Sequence, residues 1–185
     1  MKYLVLIFIC FIQSCSKDDS SIPVSAENDT VAQVSSEESV STQTVTNIKL
    51  VKTSDGSEIK FPEKALVGTD AEKEFLKSGK NIYVGDAEAI KAGKKRYNMW
   101  SCTQCHGPTA KGQVGPGLTG PKYNYAKDAT NKGMFETIWG GTNGGMGGKG
   151  FGIMAADDGV TVDELLKIIA FVRSHNKDLT GNEGL

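Results

Sequence analysis

Cys102-Thr103-Gln104-Cys105-His106 constrains this chain of 185 residues more than any other stretch. Two thiols with two residues between them sit on one tight turn of backbone. That spacing lets both reach the two vinyl groups on one edge of a porphyrin, and the next residue then lies under the ring. C-x-x-C-H is the attachment signature of a c-type haem, with His106 placed to bind iron from the proximal side. Two other readings compete. A thioredoxin-type redox pair wants a βαβ setting, and half of a zinc site wants a second Cys/His pair. Neither accompanies the motif. The expectation is one haem c, bound covalently by Cys102 and Cys105.

The remaining cysteines, Cys10 and Cys15, lie in and at the end of an apolar leader. Residues 1–14 read as a secretory signal: Lys2, then an apolar run over 3–12. That run is too short to span a bilayer. Ile12-Gln13-Ser14-Cys15 resembles a lipobox, so cleavage before Cys15 and lipid on its sulfur are expected. An ordinary secreted chain with an incidental cysteine is the plainer alternative. Several acyl chains hold a protein at a membrane where a single chain does not. The expected product is an exported bacterial lipoprotein, membrane-anchored and facing the periplasm, at the outer membrane or the cell surface if Ser16-Lys17-Asp18-Asp19 acts as an export signal. Residues 15–47 are rich in Ser, Thr, Val and Glu and poor in large apolar side chains, and read as a lipidated disordered tether. A coil of about thirty residues has an end-to-end distance of roughly 30 Å. Lys and Arg number 21 against 22 Asp and Glu. That balance argues against a nucleic-acid partner.

Residues 48–185 read as one mainly α domain with a small N-terminal hairpin. Asp55-Gly56 between the alternating runs of 48–61 signals that hairpin, and Pro62 stops its second strand. Helices are expected over 69–78, 86–99, 133–139 and 162–174. Thr161 and Glu164 form a capping-box pattern, after which Leu165, Ile168, Ile169 and Val172 recur at helical spacing. Gly93 inside the second helix costs about 1 kcal/mol against alanine, so close approach of the last helix is expected there. The glycine-rich loops over 107–120 and 140–152 are long for a domain of this size. A haem whose faces they cover would supply the apolar core that short helices lack.

An electron carrier needs a sixth iron ligand. Met134 sits among apolar neighbours and reads as core; His175 ends the last helix beside Asn176 and Lys177 and reads as solvent-facing. Met146 lies in Gly144-Gly145-Met146-Gly147-Gly148, where a thioether has little to pack on except a ligand. Met154 in Gly152-Ile153-Met154-Ala155 is the alternative. A methionine axial ligand suits electron transfer in cytochromes c. In Gly115-Pro116-Gly117-Leu118, the Pro116 carbonyl can accept from the His106 ring N–H, and Leu118 would pack on the haem face.

These residues resemble class I cytochromes c, and among them the cytochrome c-L branch, electron acceptors of PQQ-dependent methanol dehydrogenase. The likeness runs over about 55–173. It is carried by Asp55-Gly56-Ser57, by Phe75-Leu76-Lys77-Ser78-Gly79-Lys80-Asn81-Ile82-Tyr83, by the C-x-x-C-H motif, and by Gly115-Pro116-Gly117-Leu118. Lys132-Gly133-Met134-Phe135, Glu136-Thr137-Ile138-Trp139-Gly140-Gly141 and residues 163–173 continue it. The resemblance implies the class I fold of short helices around haem c and places the axial methionine on Met146. It also implies a PQQ-dependent methanol or alcohol dehydrogenase as donor, and a downstream cytochrome or terminal oxidase as acceptor. Two departures stand out. The family's domain is strongly acidic, whereas residues 70–180 here hold fifteen Lys or Arg against twelve Asp or Glu. The segment 147–159 is also longer than its counterpart and adds Met154.

The expected function is therefore one-electron transfer without enzymatic chemistry. The alternatives are an anchored cytochrome domain serving a different oxidase or reductase, and a haem enzyme or gas sensor with an open distal site.

Overall fold

Gly93 stands where two helices cross. A Cβ built on it would lie 1.9 Å from the Lys167 carbonyl oxygen. Only glycine lets the backbones meet so closely, which is the packing reason its position in a helix implied. The two helices are α2 (Ala87–Met99) and α5 (Val162–Arg173), and their contact is the most extensive between elements in the domain. The Asp86 side chain caps α2 by accepting from the Ala89 N–H. α5 begins with the Thr161–Glu164 capping box. Tyr97 and Phe171 close the crossing with ring centroids 5.1 Å apart.

This computed structural model describes residues 48–176, 178 and 183. The leader, the Cys15 attachment point and the tether expected over 1–47 lie outside the described residues. Three further helices complete the described chain: α1 (Asp70–Ser78), α3 (Cys102–His106) and α4 (Asn131–Gly140). Short 3₁₀ turns cover Glu63–Ala65 and Ala126–Ala129. The architecture is mainly helical, as expected.

α4 is buried on every side from Gly133 to Trp139. A helix of that kind belongs at the centre of its domain. Phe135 stacks on Trp139 at 5.4 Å and tilts against Phe75 of α1 at 4.7 Å. Phe61 meets Trp139 edge-on at 4.9 Å. Such pairs each contribute about 0.5–1.5 kcal/mol beyond the area they bury. α1 is tied to α5 by a buried carboxyl: Glu72 accepts from the backbone N–H groups of Gly68, Thr69 and Asp163. One side chain thus satisfies donors at the start of both helices, groups that a helix leaves without partners of its own.

The hairpin expected over 48–61 is reduced to an isolated antiparallel bridge, Val51 with Glu58, and no strand is formed among the described residues. The Ile59 N–H donates to the Leu50 carbonyl and the Lys52 N–H to the Ser57 carbonyl. Other polar groups of this segment go to α4. The Val51 N–H donates to Glu136, Thr53 and Thr137 share a hydroxyl contact of 2.8 Å, and the Ser54 hydroxyl donates to the Gly140 carbonyl.

Candidate functional site

α3 is five residues long, one turn, and it carries the whole C-x-x-C-H motif. Ser101 enters it with φ 60°, a left-handed conformation unusual for serine. Cys102 is half-buried and Cys105 exposed.

The loop after α3 folds back on it. The Gly112 N–H donates to the His106 carbonyl, and the Gly115 N–H to the Cys105 carbonyl at 2.7 Å. A Cβ on Gly115 would sit 3.1 Å from His106 Cε1 and 3.3 Å from Cys105 Cβ. The return loop therefore lies directly on the motif. It brings the Pro116 carbonyl to 2.8 Å from His106 Nδ1. A carbonyl only accepts, so the proton is on Nδ1 and the Nε2 lone pair is available for a metal. Tyr97 of α2 adds a second tie by donating to the Gly107 carbonyl at 3.0 Å.

His106 is buried, and it lines two adjoining cavities of about 530 and 420 Å³. Leu118, Asp128, Thr137 and Met146 line both. Met146 reaches the wall from the glycine loop, whose Thr142 N–H donates to the Met146 carbonyl at 2.8 Å. Pro116 borders the first cavity, and Met134, Ile168 and Val172 the second. A third, more open cavity at the surface is lined by Cys102, Cys105, His106, Val114, Met146 and Lys149. Met154 is half exposed and lines none of the three. The fold thus brings together Cys102, Cys105, His106, Pro116, Leu118 and Met146, and leaves Met154 apart. Two thiols on one turn, an imidazole with Nε2 free, a thioether and mostly apolar walls form a donor set that fits a covalently held haem.

Several wall residues carried no sequence signal. Asp128 is buried in the 3₁₀ turn before α4, and its Oδ1 accepts from the Thr137 hydroxyl at 2.6 Å. Burial pushes its carboxyl up, and the Thr137 bond partly counters that. Arg173, fully buried at the end of α5, donates to the Asp128 backbone carbonyl, to the Tyr123 hydroxyl and to Asn131 Oδ1. This network pins the turn that places Asp128 and Tyr123 on the wall. Its members are far apart in sequence.

Comparison with known proteins bears on the family and the fold. A profile described as Cytochrome c matches residues 90–176. Cytochrome c-L of Methylorubrum extorquens AM1 is 38% identical over 105 residues, which cover 57% of this chain and 49% of that protein. The chain thus matches about half the length of that curated relative. Cytochrome cL from the marine methylotrophic bacterium Methylophaga aminisulfidivorans superposes with a TM-score of 0.58 at 39% identity, covering 69% of this chain and 79% of that one. Cytochrome cL from Hyphomicrobium denitrificans gives a TM-score of 0.59 at 32% identity, covering 72% and 81%.

A mainly helical fold closed over a haem-attachment turn defines a c-type cytochrome: an electron-transfer protein with one covalently bound haem c, not an enzyme. Within that class the chain belongs to the cytochrome c-L family.

Proposed function

We propose that this chain accepts single electrons from a PQQ-dependent methanol or alcohol dehydrogenase and passes them to a downstream cytochrome or terminal oxidase. Cys102 and Cys105 would carry the two thioether links of haem c, and His106 and Met146 would bind its iron. Pro116 would orient the imidazole, and Leu118 would pack against the bound group. The bound haem supplies the one-electron chemistry. The chain holds the ligand side chains on mostly apolar walls, with His106 buried and Cys105 at the surface. The observation that carries the reading is the shared cavity wall of His106 and Met146, with both cysteines at its opening. Membership of the cytochrome c-L family supports the dehydrogenase as donor. The reading extends to residues 1–47 as an exported lipoprotein anchor: signal peptide over 1–14, lipid on Cys15, and a tether over 15–47 that holds the domain near its partners. No helix among the described residues is long and apolar enough to cross a membrane.

The test mixes the oxidised holoprotein with each quinoprotein alcohol dehydrogenase of the source organism and its alcohol. Haem reduction on alcohol addition is expected with at least one. Failure with all of them would remove the dehydrogenase as donor. Mass spectrometry of the membrane fraction checks the anchor: a Cys15→Ser variant is expected to lose the diacylglyceryl mass and leave the membrane.

A further inference from the structure

Beyond α5 the chain is tied back to the domain at two points. The Asn176 side chain donates to the Thr119 carbonyl at 3.1 Å, between Leu118 and Tyr123 in sequence. Glu183, with nine residues between it and Arg173, meets the first residue of α4. Its backbone carbonyl accepts from the Asn131 N–H at 3.1 Å, and its carboxylate accepts from the Asn131 side-chain amide at 3.2 Å. A helix leaves its first N–H groups without partners and favours an anion beside them. Glu183 answers both needs of α4.

Asn131 is fully buried and passes the contact inward. Its Oδ1 accepts from Arg173 Nε at 3.2 Å, and the same guanidinium donates to the Tyr123 hydroxyl and the Asp128 backbone carbonyl, each at 3.0 Å. Tyr123 and Asp128 line the cavity of about 530 Å³ together with Leu118 and His106. Burial pushes the Arg173 guanidinium down from its ordinary value, and Tyr123 and then Glu183 oppose that, both ahead of Asp128. A buried cation is tolerated only where partners compensate it, and Glu183 is the carboxylate that does most here. The wall segment 119–131 is therefore held at both ends by residues that follow the last helix: Asn176 at Thr119 and Glu183 at Asn131.

We propose that Asn176 and Glu183 make the chain after α5 a strap that holds the cavity wall, and that Glu183 is a positioning residue for the haem site, acting through Asn131 and Arg173 on Tyr123 and Asp128. The proposal rests on the electron-carrier reading and adds a control on its potential. Burial and solvent access are among the means by which a protein sets the potential of a haem. Ferric iron carries one more positive charge than ferrous iron. Water admitted through a loosened wall therefore favours the ferric state and lowers the potential. The charge of Glu183 acting alone works the other way, because removing a nearby anion disfavours the ferric state and raises the potential. The two effects differ in sign.

The test compares the holoprotein with two variants, one ending at Asn176 and one carrying Glu183→Ala. Spectroelectrochemistry is expected to give a lower potential for both. Hydrogen exchange of the ferrous protein is expected to quicken about tenfold or more in residues 119–131, the order of loss when hydrogen bonds to a charged group are removed, while α2 keeps its protection. Asp178→Asn takes one negative charge from an exposed residue of the same stretch and should leave both readouts unchanged. Neither measurement involves a dehydrogenase, and reversible one-electron cycling of the haem upholds the electron-carrier reading whatever the strap does. A raised or unchanged potential in the Glu183→Ala protein would overturn the proposal. So would unchanged exchange in residues 119–131, or an Asp178→Asn effect as large as that of Glu183→Ala.

Discussion

The Pro116 carbonyl decides what His106 can do. By accepting from Nδ1 at 2.8 Å it fixes the tautomer and holds the ring plane, the task that groups behind a metal ligand generally perform. Its position depends on Gly115, where a Cβ would meet His106 Cε1 at 3.1 Å and the Cys105 carbonyl oxygen at 3.3 Å. Gly115→Ala is therefore expected to tilt the imidazole. A shifted reduction potential with little change in thermal stability, read by spectroelectrochemistry, is the expected signature. The methionines separate by placement. Met146 lines the same cavities as His106, and Met154 is half exposed outside them. Met146→Ala should abolish the methionine-to-iron charge-transfer band and open the reduced protein to carbon monoxide, whereas Met154→Ala should leave the spectrum unchanged. The opposite result would reassign the ligand. The motif residues were legible because covalent attachment allows one spacing. Asp128, Tyr123 and Thr137 were not, because a cavity wall imposes shape and polarity but no spacing along the chain.

At the scale of elements, α2 and α5 could be read directly from Gly93, from the capping box and from the apolar period of Leu165, Ile168, Ile169 and Val172. α3 could not, since five residues carry no period. The hairpin failed to become strands for a physical reason. Backbone and hydroxyl groups of residues 51–54 find partners on α4, and Glu136 in the middle of that helix takes the Val51 N–H. Gly93→Ala tests the crossing. Alanine raises helix propensity by about 1 kcal/mol, but its Cβ would fall 1.9 Å from a backbone carbonyl that cannot rotate away. Overpacking of that kind costs about 1–3 kcal/mol or more, so a net loss in denaturant unfolding is expected. Glu136 tests the second joint. Burial pushes its carboxyl up, yet Lys127, Lys132 and the Val51 N–H together hold it below its ordinary 4.5. Stability from this group is present above that value and is lost as pH falls through the lower folded value. Glu136→Gln leaves two cations without their buried partner and should cost about 3 kcal/mol at neutral pH. It should also remove part of the acid-limb dependence, checked by urea unfolding from pH 7 down to the acid transition.

At the scale of the molecule, the helices alone do not close the core. The apolar cluster of α1, α4 and α5 continues through Leu118, Cys102 and Met146 into the walls of the site. Ile168 and Val172 serve both, belonging to that cluster and lining the cavity beside Met134. Stability and redox function are therefore coupled through the same side chains. A globular domain has only about 5–15 kcal/mol of net stability. An apolar wall of this extent, if left against water, removes a large fraction of it at about 25 cal/mol per Å². Elements held by local signals should survive such a loss better than elements held by the site. The Thr161–Glu164 capping box, the Glu72 joint and the Gly93 crossing all lie outside the cavity. The loops over 107–120 and 141–150, by contrast, take their position from His106, Pro116 and Met146. Cys102→Ala with Cys105→Ala, expressed without haem attachment, is accordingly expected to keep much of its far-UV helical signal while losing near-UV tertiary signal and its cooperative thermal transition, as compact states without fixed packing do. Hydrogen exchange should show protection retained in α2 and α5 and lost first in the two glycine loops. Uniform collapse of protection across α2 and α5 would instead mean that the helices depend on the haem as fully as the loops do, and that their crossing is not an independent stabilising unit.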